Sequence, residues 1–308
     1  DRKKDNIIIR WLEGILRNRK ALSGSILVLS FILIAFIGPL FIEDANAFVD
    51  KPLLPPSAEH LFGTTGQGQD VLAQTIVGAR QTLLVGFTTG LLVVIIGALI
   101  GGISGFFGHR VDDVLSMIIN VFLVMPGLPL MVILASWLPP GPLTLTGVLV
   151  ITGWAWNARV IRSQMMALRD RDFVAAAIVS GESSIRIILI EIMPRMLSLL
   201  ASSFIGASIY AIGAQVGLEF LGLGDVSSVT WGTNLYWASN DLALLTGSWW
   251  TFIPTGLSIA LVSFSLTLVN FGIDEVTNPR LISKRNWLRF LPKKDYAGSI
   301  TPVVRESV

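Results

Sequence analysis

The chain has 308 residues, of which 52% are hydrophobic and only 14% charged, with a formal net charge of +2. A soluble domain carries roughly a quarter charged residues, so this deficit, together with long apolar runs, places the protein in a bilayer. There are no cysteines and only two histidines, His60 and His109, which excludes a disulfide framework, a thiolate metal site and a His-rich zinc site.

The first twenty residues read as an amphipathic helix lying in the inner interface. Ile7, Ile8, Trp11, Leu12, Ile15 and Leu16 form its apolar stripe, with Arg10, Glu13 and Arg17 elsewhere. The apolar run that follows is too long for the core of a signal peptide and reads as a retained first span. With no initiator Met, the chain is read as beginning mid-sequence. Runs of about 20 apolar residues then predict six spans, near 21–42, 81–107, 113–138, 144–165, 195–222 and 250–274. The fold class is therefore all-α, a polytopic membrane protein with six transmembrane helices. Residues 21–281 form the membrane domain, with outer loops at 43–80 and 222–250. Residues 282–308 form a cytoplasmic tail.

Basic residues fix the expected orientation. Of the 23 Lys and Arg residues, only Lys51 and Arg80 fall on one side of the six-span arrangement. The rest put both termini and the 166–194 loop in the cytoplasm.

In span two, Gly97, Gly101 and Gly105 recur every four residues and allow a second helix to approach closely. Span three is interrupted by Pro126, Gly127 and Pro129, whose freed carbonyls need partners in neighbouring helices or water. Such a break lines a pathway or makes a packing kink. Asn120, Pro126, Pro129 and Gln215 are the candidate pathway residues. The sequence has no P-loop, HExxH or GxSxG motif, and its spans are nearly free of carboxylates. Glu219 is expected near the outer end of span five, Asp241 in the outer loop and Asp274 at the inner end of span six. A proton-driven carrier needs an ionisable group near the midplane, so the energy must come from elsewhere. No enzyme activity, metal or nucleic-acid partner is expected of this chain.

The stretch "DFVAAAIVSGESSIRIILIEIMPRM" lies in the loop between spans four and five. Asp172 is placed to cap a helix, Ala175, Ala176 and Ala177 give it a bare face, and Gly181 stops it. Ser183 caps a second short helix over 185–193, and Pro194 opens span five. A small helix tied to two spans either docks on another protein or is an ordinary interfacial loop.

The pattern "AAAIVSGESSIRIILIEIMP" resembles the EAA loop of permease subunits of ATP-binding-cassette importers. Ala176, Ala177, Gly181, Met193 and Pro194 fall at matching positions, while Ala175 replaces the usual Glu. "HLFGTTGQGQDVLAQTIVGARQTLLVG", "WAWNARVIRSQMMALRDRDFVAAA", "EFLGLGDVSSVTWGTNL" and "WWTFIPTGLSIALVSFSLTLVNFGIDEVTNPRL" resemble the dipeptide, oligopeptide and nickel branch, in order, over residues 10 to 281. Thr65 and Gln69 depart from that branch's Gly-Thr-Asp and Gly-Arg-Asp.

The resemblance implies a type I importer permease fold and the second permease of a heterodimeric pair. It implies two partner ATPase subunits that bind Mg-ATP, an external solute-binding protein, and a bacterial or archaeal cell membrane. No cofactor is implied for this chain. Coupling to the ATPases would fall to Asp172, Phe173, Ala175, Ala176, Ala177, Gly181, Glu182, Ser183 and Pro194. The external protein would meet a platform of Trp231, Trp237, Trp249 and Trp250. The solute implied is a di- or oligopeptide, with oligosaccharide or nickel as alternatives. A stand-alone channel is the alternative from a different class.

Overall fold

The computed structural model describes residues 18–277, with side chains up to Ile273. The amphipathic stripe expected over the first residues, the 282–308 tail and the Asp274 side chain lie outside the described residues. The described part is helical, with one isolated antiparallel bridge between Thr64 and Asp70.

Helix α1 (Arg19–Ile37) starts where the Asn18 side chain accepts the Lys20 N–H at 3.0 Å. Helix α2 (Val71–Phe107) is capped by Asp70, which accepts from Ala73 N–H at 2.9 Å. At 37 residues it is about 55 Å long. It is the mast of the fold. Helices α3 (His109–Val124) and α4 (Gly127–Trp137) follow, then α5 (Pro142–Arg169), α6 (Asp172–Val179), α7 (Leu197–Phe220), α8 (Trp231–Asn240) and α9 (Ile253–Thr277).

Four helical stretches are long and apolar enough to cross a membrane: Arg19–Phe41, Val71–Phe107, Ser184–Phe220 and Trp249–Ile273. The prolines expected to interrupt span three split it outright. Helices α3 and α4 meet at 85°, and count as a fifth span only if taken together. Helix α5 is 28 residues long, but Thr144, Thr146, Thr152, Asn157 and Arg159 dilute its apolar character. Length and apolarity therefore give four or five spans, where six were expected.

The glycine repeat of α2 does what its spacing predicts. A methyl group at Gly97 would lie 2.9 Å from Asn157 Cβ, and one at Gly105 would lie 2.6 Å from the Arg162 carbonyl oxygen; at Gly101 it would collide with the Ala158 carbonyl. Backbone therefore meets backbone along the α2–α5 seam. Large apolar side chains such as Leu91, Leu99, Phe264 and Phe271 lie more than half exposed on the outside of the bundle. That is the arrangement of a chain whose solvent is lipid.

The ends of α2 define the two ends of the molecule. At one end, Arg169 donates to the carbonyls of Gly105 and Phe106, and Arg162 pairs with Asp112. At the other, Trp231 and the 42–70 segment surround the start of α2. These are called the arginine end and the tryptophan end below.

Candidate functional site: a short helical segment, a central cavity and a tryptophan-anchored cap

At the arginine end, α5 runs into α6 and returns to α7 through residues 180–196. Asp172 is the first helical residue of α6 rather than its cap, and no side chain caps that end. Its charge still favours the exposed N–H groups of the first turn. The other end is tightly specified. Gly181 N–H donates to Ile178 O at 3.0 Å and Glu182 N–H to Ala177 O at 3.1 Å, while Gly181 adopts φ +79°. This double bond pattern is the Schellman stop, which needs a left-handed residue at that position.

Ser183 then accepts Arg186 N–H at 3.4 Å, as a cap should. The helix expected over 185–193 is not separate. A single turn, Ser184–Arg186, widens into a π-helix over Ile187–Ile192 and tightens into a 3-10 turn over Met193–Met196 before α7. Pro194 lacks an N–H and crowds the carbonyl four residues back, so the ladder widens just ahead of it. Glu182 pairs with Arg186 at 3.5 Å.

Val174 is fully buried against Ile161, Met165, Ile187, Ile192 and Met196, with Phe173 and Ala177 packed alongside. The Arg195 guanidinium lies 3.7 Å from the Phe173 ring centre. The segment is thus bolted to α5 and α7. The bare face is not 175–177 as expected. Ala177 turns inward, and the open face is Ala175, Ala176, Ile178 and Val179, with Val179 88% exposed. The helical period from Val174 would have found Val179 on the open side; it puts Ile178, four residues on, with Val174 on the buried side, and so would have missed it.

Between α5 and α7 lies a cavity of about 620 Å3. Its floor is Thr89 and Val93 on α2, and its walls include Thr152, Trp156 and Asn157 on α5 and Ser203, Ala207 and Tyr210 on α7. No side chain of Asp, Glu, Lys, Arg or His lines it. Thr89 is 2% exposed and its hydroxyl oxygen has no hydrogen-bond partner.

None of the four expected pathway residues lines this cavity. Asn120 and Pro126 share a shallow groove along α3, where Arg159 Nη2 donates to Asn120 Oδ1 at 2.7 Å. Pro129 sits exposed in the first turn of α4. Gln215 is fully buried and donates to Glu219 Oε1 at 2.9 Å, so it builds a packing network rather than a pathway wall.

That network anchors the tryptophan end. Glu219, at the end of α7 and 1% exposed, accepts the Thr230 hydroxyl at 2.6 Å. Thr230 and Thr233 cap each other in a reciprocal box at the start of α8. Trp231 follows, 0% exposed, with its indole N–H on the Thr75 carbonyl at 2.9 Å and its ring edge-on to Phe31. It is an internal wedge and not part of an outer platform. Trp237 and Trp250 are half-buried, donating to the carbonyls of Val226 and Thr64. Of the four expected tryptophans, only Trp249 is mainly open, beside the exposed Leu242, Leu244 and Leu245.

Residues 94–283 match the family described as "Binding-protein-dependent transport system inner membrane component". The oligopeptide transport system permease protein OppC of Bacillus subtilis (strain 168) is 32% identical over 281 residues, covering 88% of this chain and 90% of the relative. The chain belongs to this permease family. The dipeptide transport system permease protein DppC of the same organism is 31% identical over 271 residues, 86% of this chain and 83% of its own. The OppC protein of Lactococcus lactis subsp. cremoris (strain SK11) is 26% identical over 274 residues, 87% and 93% of the two chains. The resemblance read from the 172–196 stretch therefore holds over most of the permease. It is a multi-pass membrane component of a transport system.

Proposed function

We propose that this permease forms half of the translocation pathway of an ATP-driven peptide importer. It pairs with a second, homologous permease, receives its solute from an external binding protein, and is driven by two partner ATPases. In this reading α5 and the α3–α4 pair each count as spans, which gives the six of a type I importer permease. The arginine end, with both termini, faces the cytoplasm, and ATP hydrolysis belongs to the partners.

One observation carries the proposal. The exposed apolar tip of α6, Ile178 and Val179, is fixed without slack to the two helices that wall the central cavity. A force on that tip must reach the cavity. An ATPase cleft is the occupant that a short apolar tip at the basic end of a transport permease fits. The peptide cargo follows the names of the Bacillus and Lactococcus relatives.

The test is reconstitution of this chain with its partners in proteoliposomes, measuring uptake of trialanine, a neutral trisaccharide and nickel separately. ATP-dependent uptake of trialanine alone is expected. Uptake of only the sugar or the metal would reject the peptide cargo, and solute flux through this chain without ATP or partners would reject the importer.

A further inference from the structure

Arg80 differs from the other cations of the bundle. Among the described residues it and Lys51 are the Lys and Arg side chains nearest the tryptophan end, and Lys51 lies in the 42–70 segment rather than on a helix. Arg80 is on α2, which is long and apolar enough to cross the membrane, and its side chain is exposed. Its guanidinium lies 5.9 Å from the ring centre of Phe36 on α1. Among the described residues no hydrogen bond or ion pair engages it, so all of its N–H donors are unspent.

Its surroundings face lipid. The exposed stripe of α2 runs from Arg80 through Leu84, Leu91 and Leu99, and that of α1 through Leu29, Leu33 and Phe36. The two helices touch at this level, since a methyl group at Gly38 would collide with Ile76. Arg80 is thus a single cation at the head of two apolar tracks. Depth matters as much as exposure. Phe36 lies five residues before the end of the Arg19–Phe41 stretch, about 8 Å along a helix. An arginine at that depth is costly unless its head reaches an anion at the interface. Thr88, also on the α2 stripe, needs no such partner: its hydroxyl donates to the Leu84 carbonyl at 2.6 Å.

We propose that Arg80 and these two stripes form a phospholipid site, with the phosphate diester of a headgroup on the guanidinium and the acyl chains along Leu84 and Leu33. The occupant is a lipid and not free phosphate, because the cation stands alone in an apolar surface. A free ion needs several donors around it; a lipid needs one cation and brings its tails to the tracks. A headgroup without an ammonium suits the site best, since nothing on it competes for the phosphate. The site lies in the leaflet at the tryptophan end, whichever partners the permease has.

The test is native mass spectrometry of the full chain, purified with any subunits it carries, against dioleoylphosphatidylglycerol, dioleoylglycerol and glycerol phosphate. Wild type should hold one phosphatidylglycerol more tightly than the rest. Arg80→Gln should weaken that one by about fivefold, the worth of one cation near anionic headgroups. Arg80→Lys, which keeps the charge, should stay within about twofold of wild type. Dioleoylglycerol has the tails without the phosphate, so Arg80→Gln should leave its binding unchanged. Glycerol phosphate has the phosphate without the tails and should not displace the lipid. In lipid-free detergent Arg80→Gln should melt with wild type, as an exposed side chain allows, while its gain on adding phosphatidylglycerol should shrink. Equal retention of phosphatidylglycerol by wild type and Arg80→Gln would overturn the site. Displacement by glycerol phosphate would make it a soluble-anion site and overturn the lipid assignment. Loss of another permease subunit from the Arg80→Gln preparation would make Arg80 a subunit contact and overturn it as well.

Discussion

Arg162 grips Asp112 with two atoms of its guanidinium fork: Nε lies 2.5 Å from Oδ1 and Nη2 lies 2.6 Å from Oδ2. The pair joins α5 to α3, and Ser104 on α2 donates to the same carboxylate. Three helices therefore meet at one point at the arginine end. The side chains are 27% and 14% exposed, so the ion pair is partly shielded from water. Asp112→Ala and Arg162→Ala should each lower thermal stability in detergent. The double variant should recover a coupling of about 2 kcal/mol. Strict additivity of the two losses would show that the pair is incidental. Arg162→Lys should behave like a loss, since an ammonium cannot span both oxygens.

Gly181 should tolerate no β-branched residue. Its φ of +79° costs an L-residue about 1–2 kcal/mol, although the space around its α-carbon is open. Gly181→Val should leave the permease in the membrane, release the ATPase subunits during purification and abolish uptake. Gly181→Asn, which accepts the left-handed region, should retain most of both. Equal behaviour of the two variants would mean that bulk, not backbone conformation, matters there.

The open tip of α6 gives a sharper test than its alanines. Val179→Asp should weaken ATPase co-purification on the order of tenfold while the isolated permease unfolds at its usual temperature, because Val179 is 88% exposed. Ala177→Trp is a different experiment: it overfills the protein's own cluster around Val174 and should destabilise by about 1–3 kcal/mol. Unchanged assembly in Val179→Asp would leave α6 as a mere connector.

The tryptophan end divides into wedge and surface. Trp231→Ala should cost about 3–5 kcal/mol, the loss for a large buried aromatic. Trp249→Ala, at a position 54% exposed, should stay within about 0.5 kcal/mol. Thermal melts in one detergent decide it, and similar shifts for both would contradict the wedge.

Asp241 should make stability depend on pH in an unusual direction. Its Oδ2 is buried without a partner against Gly66, and burial raises its pKa above 3.8. The folded state thus holds the proton more tightly than the unfolded state does. Stability from this group is full below the ordinary carboxylate pKa and is lost as pH rises through the raised folded value. Asp241→Asn should raise the melting temperature at neutral pH and flatten that part of the profile. A melting temperature that falls in Asp241→Asn at pH 7 would show that the carboxylate is stabilised there by a contact other than those described.

What the sequence disclosed was mostly what backbone rules impose locally. Gly181 was legible because a helix followed by Gly-Glu-Ser has few other ways to stop, and the α2 seam because glycines at every fourth position mark one face. Ser183 as a cap followed for the same reason. The rest depends on which face a helix turns to its neighbours. Trp231 and Trp249 are alike in a broken, Gly-rich segment, yet one is sealed between α1 and α2 and the other is open. Gln215 looked like a pathway residue because polar side chains in spans are costly; its amide N–H bonds Glu219, four residues on, which was the clue that it also belongs to the packing around Glu219. The cavity takes its lining from α2, α3, α5 and α7, so no single stretch announces it.

The close seam between α2 and α5 has a mechanical corollary. At Gly97, Gly101 and Gly105 the backbone of α2 comes directly against α5, with little side-chain layer between them to shear, so the pair is expected to tilt as one stiff beam. A beam about 55 Å long that rocks about 5° around its middle carries each end about 2.4 Å in opposite directions. The fulcrum of such a rocker is the level of Thr89, where displacement is least. The arginine and tryptophan ends of such a beam then move in antiphase.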